Sequence, residues 1–428
     1  MLDRKYILEH AAEVKENCSR RGVEVDVERF VALEGDRRAK QTAVEQLQRS
    51  ANEIAKSIGK AANEAEREER KAEGRRLRDE TTVLQNELNA IAAELDGIHR
   101  HIPNLTHPDA PVGVGDDAAR EVRRGKTPIV KFDFKPQDHV TIGEALNLFD
   151  LEGGAKGAGH GFYFLKNDAV LLELALIHFV IARLVREGFT PTVTPDLARN
   201  EILEGIGFIP RGPETQIYSV DGTDLSLVAT AEITLGGLLS NETIEVDKLP
   251  IKLCGISHCF RTEAGAHGRA TKGLYRVHQF TKVEMFAFTR PEDSDATLEG
   301  FCALECEIFD TLGIPYRVID TATGDLGGPA YRKYDLEAWM PGRGENGEFG
   351  EITSTSNCTD YQARRLNVRY KLPGEKGTHF VHTLNGTAVA ISRALVAILE
   401  NYQQADGSVV VPEVLRALVG KDRITPKT

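Results

Sequence analysis

The sequence is poor in the features that settle a reading early. Its 428 residues include one tryptophan, three methionines and six cysteines. The cysteines, at positions 18, 254, 259, 302, 306 and 358, form no Cys-x-x-Cys pair and have no histidine at zinc spacing. No structural zinc is therefore expected, and a chain of this length does not need disulfide staples, so the six read as buried or neutral thiols. No run of about 18 uncharged apolar residues occurs, which excludes a membrane-spanning helix. Met1-Leu2-Asp3-Arg4 begins neither a secretory signal nor an Arg/Ser-rich transit peptide, and the chain reads as cytoplasmic. Common catalytic signatures are missing too: there is no G-x-x-x-x-G-K-[ST], G-x-S-x-G or H-E-x-x-H. The one dense glycine cluster, Gly153 to Gly159, does not follow a strand and open a helix, and reads as a flexible loop. Any ATP chemistry must use another scaffold.

What is present is a globular composition, 41% apolar and 28% charged, with room for two or three domains at about 150 residues each. The net charge of −12 argues against affinity for nucleic acid over the whole surface, but leaves a local basic patch open. Proline is absent from Val27 to Ile102. There, apolar residues recur in steps of three and four at Val44, Leu47, Ala51, Ile54, Ile58, Ala61 and Ala65. They recur again at Leu77, Leu84, Leu88, Ile91, Leu95, Ile98 and Ile102. Each is a heptad seam. A charge-dense stretch, Asn63 to Arg78, separates them, with Gly74 as a breaker. The pattern predicts an antiparallel helical hairpin with arms about 27–65 and 72–102, each extending on the order of 50 Å. Two readings stay open: a spacer or oligomerisation coil, or an arm whose Arg67, Arg70, Lys71, Arg75, Arg76 and Arg78 follow a phosphate backbone. Prolines 103, 108 and 111 then mark a linker, dividing the chain into 1–110 and 111–428.

Beyond the linker, Asp168–Arg186, Asp293–Leu312 and Ala388–Tyr402 read as helices. Ile251–Cys254, Tyr275–Phe288, Tyr316–Ile319 and Lys333–Ala338 read as strands. Long strands with few βαβ alternations imply an α+β body, an antiparallel sheet flanked by helices. On the second strand, period two puts Arg276, His278, Phe280, Lys282 and Glu284 on one face, and Arg261 and Glu263 share a face of the strand before it. A solvated salt-bridge ladder has little use for Phe280. Arginine, an aromatic ring and carboxylates together can hold phosphate, stack a base and orient an amine.

The stretch Cys259-Phe260-Arg261-Thr262-Glu263-Ala264-Gly265, with the strand ending at Glu284, resembles motif 2 of class II aminoacyl-tRNA synthetases. Arg393, in Asn385-Gly386-Thr387-Ala388-Val389-Ala390-Ile391-Ser392-Arg393, resembles the motif 3 arginine opening its helix, and Pro195 the motif 1 proline. The finer resemblance is to the seryl-tRNA synthetase family of bacterial type, along the whole chain. It is carried by the N-terminal coiled coil, Thr230-Ala231-Glu232, His278-Gln279-Phe280-Thr281-Lys282-Val283-Glu284, Gly324-Asp325-Leu326 and Glu351-Ile352-Thr353-Ser354. Ser356-Asn357-Cys358, Gln362-Ala363-Arg364-Arg365 and Val411-Pro412-Glu413-Val414-Leu415-Arg416 complete it.

That resemblance implies a serine–tRNA ligase: activation of L-serine with ATP to seryl-adenylate, then transfer to tRNA(Ser), and to tRNA(Sec), the entry to selenocysteine, where one exists. It implies Arg261 and Arg393 as the catalytic arginines, the first on the α-phosphate and serine carboxylate, the second on the γ-phosphate. Serine would be held by Thr230, Ala231, Glu232, Arg261, Glu284, Asn385 and Thr387, with Glu284 and Thr387 reading the hydroxyl and Thr230 and Glu232 the ammonium. ATP would be held by Arg261, Thr262, Glu263, Arg276, Val277, His278 and Phe280, with Glu351, Ile352, Thr353, Ser354 and Arg393. Phe280 would stack on adenine, Glu263 would accept from its amine, and Glu351 and Ser354 would bind Mg²⁺. A homodimer is implied, with the hairpin clamping tRNA. The chain departs from the family at Thr387-Ala388, where Ser-Gly is frequent and Ala388 is expected to tighten the pocket. It departs also at Ser392 for glycine, at Thr353 for serine, at Gly161 for an arginine, and in a Gly-rich segment from Gly342 to Gly350. The alternatives are a catalytically inactive tRNA-binding relative, which would lose Arg261 or Arg393, a relative that loads a carrier protein and lacks the hairpin, and a coiled-coil scaffold, which leaves the motifs unexplained.

Overall fold

A computed structural model of the chain describes residues 1–208, 216–264 and 272–426. Gly265, the end of the first motif string, and the loop residues after it through 271 lie outside them. The chain divides into two compact units, Met1–Leu105 and Thr106–Thr428, the boundary falling inside the proline-bearing segment.

In the first unit, α1 (Val27–Ile58) and α2 (Glu64–His101) form the hairpin. Val44, Leu77, Leu88 and Leu95 of the two seams are buried, joined by Phe30 and Leu33. Arg29 of α1 is hydrogen-bonded to Glu94 of α2 at 2.8 Å, and Lys40 pairs with Glu87. The turn is shorter than the sequence suggests. The arms were expected to part across 65–72, but α1 ends at Ile58 and α2 starts at Glu64. Asn63 Oδ1 accepts from the Glu66 amide at 2.9 Å, while Glu66 Oε2 accepts from the Ala62 amide at 2.6 Å. The first bond satisfies a helix-end donor and the second ties the turn back onto the helix. The charge-dense stretch continues as helix because its charges pair one turn apart: Lys71 with Glu68 at 2.6 Å, and Arg76 with Glu73 and Glu80, both at 2.6 Å. Gly74 is thus no breaker. It is buried in α2, where a β-carbon would meet Ile54 Cγ2 at 3.5 Å.

In the second unit, an eight-stranded sheet is formed among the described residues. Its strands are β1 (Arg120–Arg124), β2 (Thr190–Val193), β3 (Ile251–Phe260) and β4 (Gln279–Thr289), then β5 (Tyr316–Asp320), β6 (Arg332–Met340), β7 (Glu348–Asn357) and β8 (His382–Ala390). Their order is β1-β5-β6-β7-β8-β4-β3-β2, antiparallel except for the β2–β3 pair. Helices α3 (Asp168–Arg186), α4 (Glu232–Gly237), α5 (Ser294–Thr311), α6 (Tyr361–Leu366) and α7 (Ile391–Asn401) complete the frame. Val283, Met285 and Ala287 of β4 share one apolar cluster with Leu172 and Leu176 of α3, Phe301 of α5 and Leu395 of α7. Phe286 and Phe288, on its other face, belong to a second cluster with Leu235 of α4 and Leu366 of α6. Both faces of β4 are therefore buried, which is why it reads as a nearly continuous apolar run once past Glu284.

The glycine cluster is a second correction. Leu151–Ala158 is a helix, capped by Asp150 Oδ1 on the Gly153 amide at 2.7 Å. A β-carbon on Gly154 would stand 2.3 Å from the Phe162 carbonyl oxygen, so glycine there serves close packing rather than flexibility. The helix expected from Ala388 starts only at Ile391, because Ala388–Ala390 belong to β8. All six cysteines are buried, and none of them is in a disulfide. Among the described residues no helix is long and apolar enough to cross a membrane.

Candidate active site

The polar groups converge on the face of β4 that carries Phe280, Lys282 and Glu284. Register brings in their neighbours: Ser257 of β3 and Ala390 of β8 stand opposite Lys282, and Thr387 of β8 opposite Glu284. Two bulges shape this face. In β8, Ala388 is left over between Thr387, paired with Glu284, and Val389, paired with Val283. In β7, Ile352 is left over between Glu351, paired with Glu337, and Thr353, paired with Leu336. Side chains alternate with period two, so the extra residue in β7 puts Glu351 and Ser354, three apart in sequence, on the same face. The result is a cavity of about 140 Å³.

Thr230, Glu232, Glu284, Asn385 and Thr387 line that cavity with Arg261 and Phe280. Glu351, Ile352, Thr353, Ser354 and Arg393 line it too. Glu232, at the start of α4, accepts on Oε1 from Gln362 Nε2 at 2.7 Å and from Asn385 Nδ2 at 3.0 Å. Gln362 is itself fixed by the Thr383 hydroxyl at 2.6 Å. Burial, and then the charge of Glu284, push the Glu232 carboxyl up to about 7, although Gln362, Lys282 and Arg261 oppose the rise. Lys282 is ion-paired with Glu284 and donates to Thr230 Oγ1 at 2.8 Å. The Thr387 hydroxyl donates to Glu284 Oε2 at 3.3 Å.

The cationic side of the cavity is built differently. Arg261 follows the last residue of β3 and lies 5.3 Å from the Phe280 ring centroid, with Nε donating to the Ala229 carbonyl at 3.4 Å. Arg393, in the first turn of α7, reaches Glu351 Oε1 at 3.1 Å and its carbonyl oxygen at 3.0 Å. The Tyr275 hydroxyl donates to the same carbonyl at 3.0 Å, and its ring lies 5.0 Å from the Arg393 guanidinium. Burial pushes the Glu351 carboxyl up, but Arg393, Lys333 and Arg261 outweigh it and hold the group below its ordinary value. Glu351 is thus an ionised oxygen donor, with the Ser354 hydroxyl on its face. That set suits a hard divalent cation such as Mg²⁺.

Six expected site residues do not line the cavity. Ala231 is fully buried in the apolar cluster under α4. Arg261 and Glu263 were expected on a strand, but β3 ends at Phe260 and Glu263 has φ +52°, a left-handed conformation that stops the strand. Arg276 and His278 likewise precede β4 instead of sharing its face. Arg276 pairs with Glu263 at 2.5 Å, Val277 is buried, and the Thr262 amide donates to the Gln216 carbonyl at 3.1 Å. His278 Nδ1 lies 2.5 Å from the Tyr218 hydroxyl, and its ring stacks with Phe162 at 5.5 Å. Gly161 has φ +87°, and a β-carbon there would stand 2.1 Å from His278 Cδ2, so the departure at Gly161 leaves room for that imidazole. Ala388 does not tighten the pocket: as the bulge residue it packs into the main apolar cluster. Gln362 was seen only as part of a string, and Lys282 only as a strand-face residue. Alternation signalled that Lys282 lies on this face, but nothing local signalled what it bonds.

Comparison with known proteins identifies the family. The family described as "tRNA synthetase class II core domain (G, H, P, S and T)" matches residues 217–402, and "Seryl-tRNA synthetase N-terminal domain" matches residues 1–106. A serine–tRNA ligase from Rhodopirellula baltica is 60% identical over 422 residues, covering 99% of each chain. One from Rubrobacter xylanophilus is 54% identical, covering 100% of this chain and 99% of the relative. The crystal structure of seryl-tRNA synthetase from Pyrococcus horikoshii complexed with ATP is 40% identical and covers 100% of both chains at a TM-score of 0.90. Full-length likeness of this degree, together with matches to both domains, makes the chain a member of the seryl-tRNA synthetase family, with the class II α+β core and the N-terminal helical hairpin of that family.

Proposed function

We propose that the chain activates L-serine with ATP and transfers the seryl group to tRNA(Ser), and to tRNA(Sec) where the host has one. The observation that carries this is the meeting, in one small cavity, of a Glu232–Glu284–Thr387 network with the two arginines, Arg261 and Arg393. The amino-acid carboxylate is itself the nucleophile toward the α-phosphorus, so the protein needs no general base; it positions the reactants and neutralises charge. Arg261 meets the serine carboxylate and the α-phosphate as charge develops there. Phe280 stacks on adenine beside it, and Glu263, braced by Arg276, accepts from the exocyclic amine. Arg393 leaves Glu351 for the γ-phosphate. Glu351 and Ser354 would hold Mg²⁺, which would supply charge neutralisation at the phosphates. Thr230 and Glu232 grip the ammonium, and Glu284 with Thr387 reads the hydroxyl. An analogue lacking the hydroxyl leaves those polar groups unpaired, which can cost roughly 10⁴ in discrimination.

The N-terminal unit (1–110) is the tRNA-binding part in this reading and 111–428 the catalytic part, in a cytoplasmic homodimer. The hairpin recognises tRNA by shape and backbone, so a chain at −12 needs basic surface only locally. The test is serine-dependent ATP–pyrophosphate exchange, with alanine, threonine and cysteine as controls. Exchange driven by serine and abolished in Arg261→Ala is expected. Absence of exchange with every amino acid would overturn the activity and leave tRNA binding by the hairpin as the function.

A further inference from the structure

Lys282 is a buried cation to which none of the assignments above gives a task. The residue is 4% exposed, and an ammonium at that depth is tolerated only when paired and hydrogen-bonded. An ammonium has three N–H donors and no acceptor. All three go to the amino-acid pocket: one to the Glu284 carboxylate, one to Thr230 Oγ1 at 2.8 Å and one to Thr387 Oγ1 at 3.4 Å. The consequences follow from donor and acceptor counting. Because each threonine oxygen accepts from Lys282, its own proton must point elsewhere; that of Thr387 goes to Glu284 Oε2 at 3.3 Å. Thr230 Oγ1 also accepts from the Glu232 amide at 3.3 Å, so both of its lone pairs are engaged and its proton is left for another acceptor. Glu284 thus meets the Lys282 ammonium and accepts from the Thr387 hydroxyl.

We propose that Lys282 is a positioning residue that sets amino-acid specificity, holding Glu284 as the acceptor for a substrate hydroxyl and turning the two threonine hydroxyls into fixed orientations around it. The inference rests on serine activation as the reaction. The charged groups facing the ammonium are Glu284 on β4, Glu232 on α4 and Arg261 beyond β3, with Cys259 of β3 the remaining titratable neighbour. Without Lys282, the Glu232 carboxyl loses one of the charges that oppose its rise, and its protonation moves to higher pH.

The experiment is ATP–pyrophosphate exchange by the full-length protein and its Lys282→Met variant. In the variant, kcat/KM for serine is expected to fall about 10- to 100-fold, mainly through KM. The serine-to-alanine ratio is expected to fall about tenfold, and the pH profile for serine to shift upward, while the KM for ATP stays unchanged. A variant that keeps the wild-type serine-to-alanine ratio and pH profile would overturn the proposal, as would one that loses ATP and serine affinity alike. Should Lys282→Met fail to fold, Lys282→Arg decides: it keeps the charge, but its planar fork cannot serve the three acceptors as a point donor does. It is expected to keep the pH profile and lose discrimination; full discrimination would refute the assignment. No exchange by the unaltered protein would instead remove the reaction, and the inference with it.

Discussion

Glu232 makes the serine pocket sensitive to pH in a calculable way. Its carboxyl is raised from 4.5 to about 7 by burial and by Glu284, so near neutrality much of the free protein carries a proton there. In the function proposed above the ammonium of serine pairs with this carboxylate, so binding must expel that proton. For a midpoint near 7, the ionised fraction is about nine-tenths at pH 8 and about one-tenth at pH 6, so kcat/KM for serine should fall about tenfold between them. Replacing Glu232 by Gln keeps the shape and removes the charge. A charge-assisted hydrogen bond contributes about 1.5–3 kcal/mol, which predicts a loss of about 10- to 150-fold in kcat/KM at pH 8. The variant should also show a flat profile from pH 6 to 8. Steady-state ATP–pyrophosphate exchange across that range measures both. A Glu232→Gln protein that retains the descending limb with its midpoint near 7 would refute the reasoning, because some other group would then be titrating.

The other expectations are structural. Gly74→Ala should stabilise the hairpin by about 0.8–1 kcal/mol, since the helix gains propensity and the new methyl meets Ile54 Cγ2 at an ordinary 3.5 Å; slower amide exchange around Gly74 would report it, and faster exchange would contradict it. Gly161→Ala should weaken ATP use, because φ +87° costs a β-carbon roughly 1–2 kcal/mol and the methyl would collide with His278; an unchanged KM for ATP would count against that contact. Glu305 is buried behind β7, accepts from Thr353 Oγ1 at 3.1 Å on Oε2, and has Oε1 buried without a partner. Burial raises its carboxyl well above 4.5, so the stability it contributes is complete below that pH and lost as pH rises through the raised value. Glu305→Gln should therefore melt higher than wild type at pH 8, and the difference should close toward pH 4.5; an equal melting temperature at both pH values would show that the carboxyl is not held protonated.

Periodicity made the hairpin seams, α3 and the strand-rich body legible, because each is a pattern over neighbours in the chain. The limits of that reading are informative. A charged stretch without large apolar residues looks alike as turn or exposed helix, and only the Asn63–Glu66 cap decides between them. Strict alternation places Glu351 and Ser354 on opposite faces, and it takes the unpaired Ile352 to bring them together. It also continues β3 through Glu263, which the positive φ at that residue forbids. These breaks are not scattered. The bulges at Ile352 and Ala388 flank Glu351 and Thr387, which line the cavity, and the left-handed Glu263 lies two residues beyond Arg261. A regular sheet puts residues three apart on opposite faces; a bulge shifts that phase and brings Glu351 and Ser354 to one face, and a strand that ends early lets Arg261 lie over Phe280. Alternation thus failed where the site departs from the phase of a regular pleat, and there short strings of residue types, which do not depend on the period, carried the reading instead.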